Sequence, residues 1–158
     1  MARYFYGTLF FVLLAGLGLW TVSFYKTQPQ VTASSSIAEF GGVSLNIDFA
    51  TTTAGREKGL GDRESIPNDY GMLFVFPKDD YYGFWMKDTL VSLDMFWLDD
   101  KGQVVYVAQD VATSTYPNVF YPPTPARYVL ETAAGFATAH GIATGTPLML
   151  QNFPSVSE

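Results

Sequence analysis

The sequence predicts a mainly β domain: a compact antiparallel β-sandwich or barrel with two short helices, set behind an N-terminal transmembrane helix. Three observations predict it. Short apolar or alternating runs recur between turn residues from Val43 to Leu150, as strands of a small β domain do. Only two stretches carry helix signals, and strands do not alternate with long helices, which argues against a nucleotide-binding α/β sheet. Finally, residues 4–25 contain no charge, which is long enough for a helix to cross a bilayer.

The chain begins with that uncharged stretch. Aromatic residues gather at its two ends (Tyr4, Phe5 and Tyr6; Trp20, Phe24 and Tyr25), where membrane interfaces favour them, and Arg3 and Lys26 bracket it. A cleaved signal peptide is the rival reading, with small residues Val31, Thr32 and Ala33 ahead of Ser34. The apolar core, however, is longer than a signal peptide requires and ends well before Ala33. Residues 1–26 are therefore read as an anchor and 27–38 as a Gln/Ser/Thr/Pro tether. Residues 39–158 are read as the domain, displayed on the extracytoplasmic side of the cytoplasmic membrane, or secreted if cleavage occurs.

Within the domain, Val43–Ala50 alternates Val43, Leu45, Ile47 and Phe49 against Ser44, Asn46 and Asp48, a half-buried strand. Thr51, Thr52 and Thr53 are N-cap candidates for a helix over 54–60, which Gly59 and Gly61 end. A charged loop through Arg63 leads to the turn residues Pro67, Asn68 and Asp69. Residues 71–76 (Gly-Met-Leu-Phe-Val-Phe) form an apolar strand, 77–81 a turn, and 84–89 (Phe-Trp-Met-Lys-Asp-Thr) a second strand that delivers Lys87, Asp88 and Thr89 to an edge. Residues 93–98 form a strand in which Asp94 shares a face with Phe96 and Leu98. Asp99, Asp100, Lys101 and Gly102 make a hairpin turn, and 104–108 return. A proline- and tyrosine-rich loop occupies 110–125. Strand 128–132, helix 133–140 closed by Gly141, and strand 147–150 complete the domain.

Composition excludes several functions. The net charge is −6, and from Thr27 onward seven Lys/Arg face fifteen Asp/Glu with no basic run, so nucleic acid is not an expected partner. There is no cysteine, hence no disulfide, thiol nucleophile, iron–sulfur ligand or lipobox acylation site. With one histidine and no cysteine, no transition-metal site and no cofactor is expected. Asp79–Asp80 and Asp99–Asp100 fall in turns without a calcium-loop pattern. His140, at a predicted helix end, suits the helix dipole there and lacks a nucleophile partner.

A run of motifs resembles the DUF192 family. It comprises Lys58-Gly59-Leu60, Arg63, the 71–76 and 84–89 segments, Leu93-Asp94, residues 126–131 (Ala-Arg-Tyr-Val-Leu-Glu) and Gly135-Phe136. The resemblance covers about residues 43–150. It implies a compact β-rich fold, often behind a signal or anchor, and brings no activity with it. Three positions depart from the family pattern: Gly61 stands where a methionine is usual, Asp88 where asparagine is usual, and Ser92 where proline is usual.

The candidate binding set is Arg63, Trp85, Lys87, Asp88, Thr89 and Arg127. A tryptophan face beside an amine, a carboxylate and a hydroxyl suits a polar ring such as a sugar. The competing reading makes Trp85 a core residue and Lys87–Asp88 a solvated strand end. Asp94, in an apolar strand, requires a partner; it belongs either to a pocket cluster with Arg63, Lys87, Arg127 and Glu131 or to a structural ion network. Asp94 and Glu131 are also the candidate catalytic pair for polysaccharide hydrolysis. Tyr116, Pro117, Tyr121, Pro122, Pro123 and Pro125 form either a gripping rim or a stiff packed loop. The expected function is a non-catalytic binding module for a polar envelope ligand. The alternatives are an envelope-polysaccharide hydrolase and a scaffold for another envelope protein. No oligomeric state is implied.

Overall fold

A strand whose successive residues are all apolar needs cover on both faces, and β3 obtains it. In the computed structural model, which describes residues 36–156, β3 (Tyr70–Asp80) is central in one seven-stranded sheet. The other strands are β1 (Ser36–Phe40), β2 (Val43–Ala50), β4 (Leu93–Leu98), β5 (Val104–Val111), β6 (Ala126–Ala133) and β7 (Leu148–Met149), in the spatial order β5-β4-β6-β3-β2-β1-β7. Two helices, α1 (Thr53–Lys58) and α2 (Phe136–His140), and a 3-10 turn at Thr113–Thr115 complete the elements.

The sheet curls into a half-barrel whose two edges are tied at one end. Val104 N–H donates to the Thr146 carbonyl (3.0 Å), and Leu148 N–H donates to the Gly102 carbonyl (2.9 Å). One face packs Phe40, Leu45, Ile47, Leu73, Phe96 and Leu130 around Phe136 of α2. The other packs Met72, Phe74, Met95, Trp97 and Val129 against Leu60, Phe84 and Met86. The mainly β reading with two short helices holds.

Several expectations are corrected. The architecture is one curled sheet rather than a two-sheet sandwich, and it is not wholly antiparallel: β2 and β3 run parallel. Their connection carries α1, the crossover that parallel neighbours require. β1 begins at Ser36, inside the expected tether, and buries Ala38 and Phe40. Residues 77–80 continue β3 instead of turning, with a register shift between Val75 and Asp80. Residues 84–89 are not a strand; they run as an extended segment that turns at Lys87 and Asp88 and is held to the 110–125 loop by the Phe84–Phe120 bridge. Ala133 ends β6 and α2 starts at Phe136. Among the described residues no helix is long and apolar enough to cross a membrane; the anchor at 1–26 and the tether at 27–35 lie outside the described residues.

Candidate functional site

Strand register decides which side chains can meet. Met72, Glu131 and Met95 are paired across β3, β6 and β4, so they share a face; Gly71, Thr132 and Asp94 form the adjacent row and share the other. Asp94 and Glu131 therefore lie on opposite faces of the sheet. The acid–base pair expected for polysaccharide hydrolysis does not exist, and that reading is withdrawn.

Asp94 is fully buried and fully engaged. Its Oδ1 accepts the Asp110 N–H and its Oδ2 accepts the Ala137 N–H, each at 2.7 Å. Asp110 sits at a positive φ of 50° where β5 bulges against β4, and Ala137 lies in the first turn of α2. The partners are backbone amides, not Arg63, Lys87 or Arg127. Asp94 is a structural pin joining bulge, strand and helix.

Glu131 is the opposite case. It is buried, with 5% of its surface exposed, and no described residue gives its carboxyl a hydrogen bond or ion pair. No fully enclosed side-chain oxygen is left unpaired, so the Glu131 carboxyl must open onto the cavity it lines. That cavity measures about 320 Å³. Burial among apolar neighbours pushes the Glu131 carboxyl up to about 8, which keeps it protonated at neutral pH.

The walls come from three places. α1 and the residues after it supply Arg56, Glu57, Lys58 and Leu60; β3 supplies Phe74 and Phe76; the extended segment supplies Phe84, Trp85, Lys87 and Thr89. Phe84 stands edge-on to Phe74 (4.8 Å) and to Trp97 (5.8 Å), which fixes the apolar wall. Thr52 caps α1 by accepting the Gly55 N–H at 3.0 Å. Arg56 donates to the carbonyls of Thr51 (2.8 Å) and Val75 (3.0 Å) and lies over the Phe76 ring, so it braces helix to sheet. Lys58 is paired with Asp62. Lys87 is exposed, and its ammonium has no ion pair among the described residues. Trp85 is half exposed, with its ring 5.8 Å from Tyr116.

The expected binding set thus divides. Trp85, Lys87 and Thr89 line the cavity, joined by Glu131, which the sequence offers both as a pocket partner of Lys87 and as half of an acid pair with Asp94. Asp88 does not line it. Asp88 takes φ of 55°, a left-handed position that Asn and Asp tolerate, and its carbonyl accepts the Asp62 N–H at 2.8 Å. The Asn-to-Asp departure from the family pattern therefore falls on a turn residue outside the cavity lining. Arg63 packs over the Tyr70 ring and pairs with Asp48 at 3.6 Å; Tyr70 also donates to Asp48 at 2.7 Å. Burial, then that hydrogen bond, holds the Tyr70 phenol well above its ordinary range. Arg127 pairs with Asp79 at 2.6 Å. Arg63 ties its loop to β2 and β3, Arg127 joins the start of β6 to the end of β3, and neither lines the cavity. His140 ends α2 beside Phe136 and borders a second cavity of about 210 Å³ on other residues. Among the described residues no group of acidic or histidine side chains is arranged to hold a metal ion.

The sequence profile of the DUF192 family, described as Uncharacterized ACR, matches residues 36–150, from the first residue of β1 to the residue after β7. The chain belongs to the DUF192 family. No curated protein matches it. Two crystal structures are similar. One, from Sinorhizobium meliloti 1021 and provisionally described as a transcription regulator, is 27% identical with a TM-score of 0.70; the match covers 75% of this chain and 95% of that one. The other, a protein of unknown function from Novosphingobium aromaticivorans DSM 12444, is 25% identical with a TM-score of 0.65, covering 73% of this chain and 83% of that one.

Proposed function

We propose that this DUF192 domain is a non-catalytic binding module for a small polar molecule. Residues 4–25 would hold it at the outer side of the cytoplasmic membrane, where envelope glycans and their fragments are the available ligands. The observation that carries the reading is Glu131: a buried carboxyl with no partner among the described residues, open to a cavity whose other lining includes Trp85, Lys87 and Thr89. A buried polar group without a partner is costly unless something else satisfies it, and a ligand is one such partner. Aromatic surface with a few directed polar groups is the composition of a small-molecule site, and the volume lies at the lower end of the range such sites occupy. The regulator description of the Sinorhizobium protein is not carried over, because the acidic charge balance of this chain does not suit a phosphate backbone.

The test is a thermal-shift screen of the full chain in detergent against neutral and charged sugars, envelope fragments and common anions. A ligand at one hundred times its dissociation constant adds about 2.7 kcal/mol, roughly 10 °C for a domain of this size. The shift should vanish in Trp85→Ala and persist in Arg127→Ala. If no compound moved the transition, or if the shift survived loss of Trp85, the cavity would not be the site. Weight would then pass to the scaffold reading, which the exposed side chains of Trp85, Tyr116, Val119 and Tyr121 favour.

A further inference from the structure

Two polar residues of the cavity lining have no charged or hydrogen-bonding side-chain partner among the described residues. Glu131 has no partner among the described residues, and the Lys87 ammonium has no counter-charge there. Their demands differ. A carboxyl in its acid form offers one hydrogen and accepts weakly. An ammonium calls for an anion.

The charged groups that share the cavity lining with Glu131 come from two places: Arg56, Glu57 and Lys58 from α1, and Lys87 from the extended segment. The strands on either side of it contribute Met72 and Met95, which carry no charge, and Arg127 on its own strand is engaged with Asp79. Lys58 is already paired with Asp62, so with Glu131 protonated two cations, Arg56 and Lys87, face a single ionised carboxylate, that of Glu57, in the lining. A cationic ligand would have to displace the Glu131 proton while approaching Lys87. An anionic one meets neither cost. The aromatic walls, Phe74, Phe84 and Trp85, fit one ring.

We propose that the cavity takes a small ring-bearing carboxylate, its anionic group beside Lys87 and a neutral oxygen accepting from the Glu131 acid hydrogen. This rests on the binding reading above and narrows its ligand to one charge class. It also makes Glu131 a gate: ionisation removes the hydrogen that the ligand accepts and sets a negative charge in its way.

The test is calorimetric titration of the full chain in detergent with two matched probe sets, benzoate, benzamide and benzylamine, then glucuronate, glucose and glucosamine. In at least one set the carboxylate should bind tenfold or more tightly than its neutral and amine counterparts near neutral pH. With the Glu131 midpoint at about 8, its affinity should fall roughly 30-fold between about pH 6.5 and about pH 9.5. Lys87→Ala should reduce the preference for the carboxylate to about twofold or less. Glu131→Gln should retain binding near pH 6.5 and lose the decline above pH 8. Tightest binding by an amine, or affinity that rises with pH, overturns the carboxylate class while leaving the cavity a binding site. Silence from every probe at millimolar concentration overturns the class and the binding reading together.

Discussion

Two buried carboxylates define the domain at the scale of single residues, and their surroundings assign them different work. Asp94 receives two backbone N–H groups and so satisfies donors that a strand bulge and a short helix would otherwise leave open. Removing it strands both donors in a water-poor place, at about 1–3 kcal/mol for each. Asp94→Ala should therefore lower unfolding stability by about 2–5 kcal/mol in urea denaturation of the full chain, whereas Asp94→Asn, which retains one acceptor oxygen, should lose less. Equal losses in the two variants would mean that the hydrogen bonds are not what Asp94 contributes. The alternation of 93–98 already placed Asp94 among core residues and required that it have a partner. Its partners were not legible, because a backbone amide leaves no mark in composition. Glu131 was legible only as an acid in a strand; that nothing answers it depends on which side chains surround it.

At the scale of elements, the extended segment 84–89 decides the shape of the cavity. Its apolar and aromatic content read as a strand, yet a segment becomes a strand by pairing, and among these residues only Phe84 forms a β-bridge. The segment is held instead by ring packing and by the aromatic–proline loop, which lies close because Gly83 has no side chain. A Cβ there would come within 2.5 Å of the Tyr121 ring and 2.6 Å of Val119. Gly83→Ala should push the loop away from the mouth and disturb Trp85. The expected result is an altered near-ultraviolet circular dichroism spectrum and weaker ligand binding, with a stability loss of about 1–3 kcal/mol, as overpacking produces. An unchanged spectrum would show that the loop yields without moving Trp85. The same scale explains the arginines. Arg63 and Arg127 each sit in a motif shared with the family, but both are spent joining a loop or strand end to its neighbour.

For the whole molecule, the consequence of Glu131 is a stability that depends on pH. The folded chain keeps the Glu131 proton up to about 8, while an unfolded glutamate releases it near 4.5. Between those values the folded state binds more protons, so stability is greatest below the window and declines as pH rises through it. At about 1.4 kcal/mol for each unit, the loss is of the order of a few kcal/mol. Wild type and Glu131→Gln should melt at similar temperatures near pH 5, and the variant should melt higher near pH 9. Parallel curves across that range would show that the site is wetter than its burial suggests. The comparison isolates Glu131 because every other titrating group is present in both chains.

The sequence by itself determined the β-rich class, the family, most strand positions and the helix signals at Thr52 and His140, because these follow from local periodicity and capping chemistry. The strand–helix–strand order from Val43 to Phe76 also carried the signature of a parallel crossover, although neighbouring short strands pointed to antiparallel pairing. Only the tertiary structure decided that the β5 and β7 edges are tied at one end of the sheet and that Asp94 and Glu131 face apart. It alone drew Trp85, Lys87 and Thr89 together around Glu131 while leaving Arg63, Asp88 and Arg127 outside. These are matters of register and of contact between distant segments. A one-residue shift in pairing exchanges the two faces of a strand, and no local pattern of residue types fixes which face meets which neighbour.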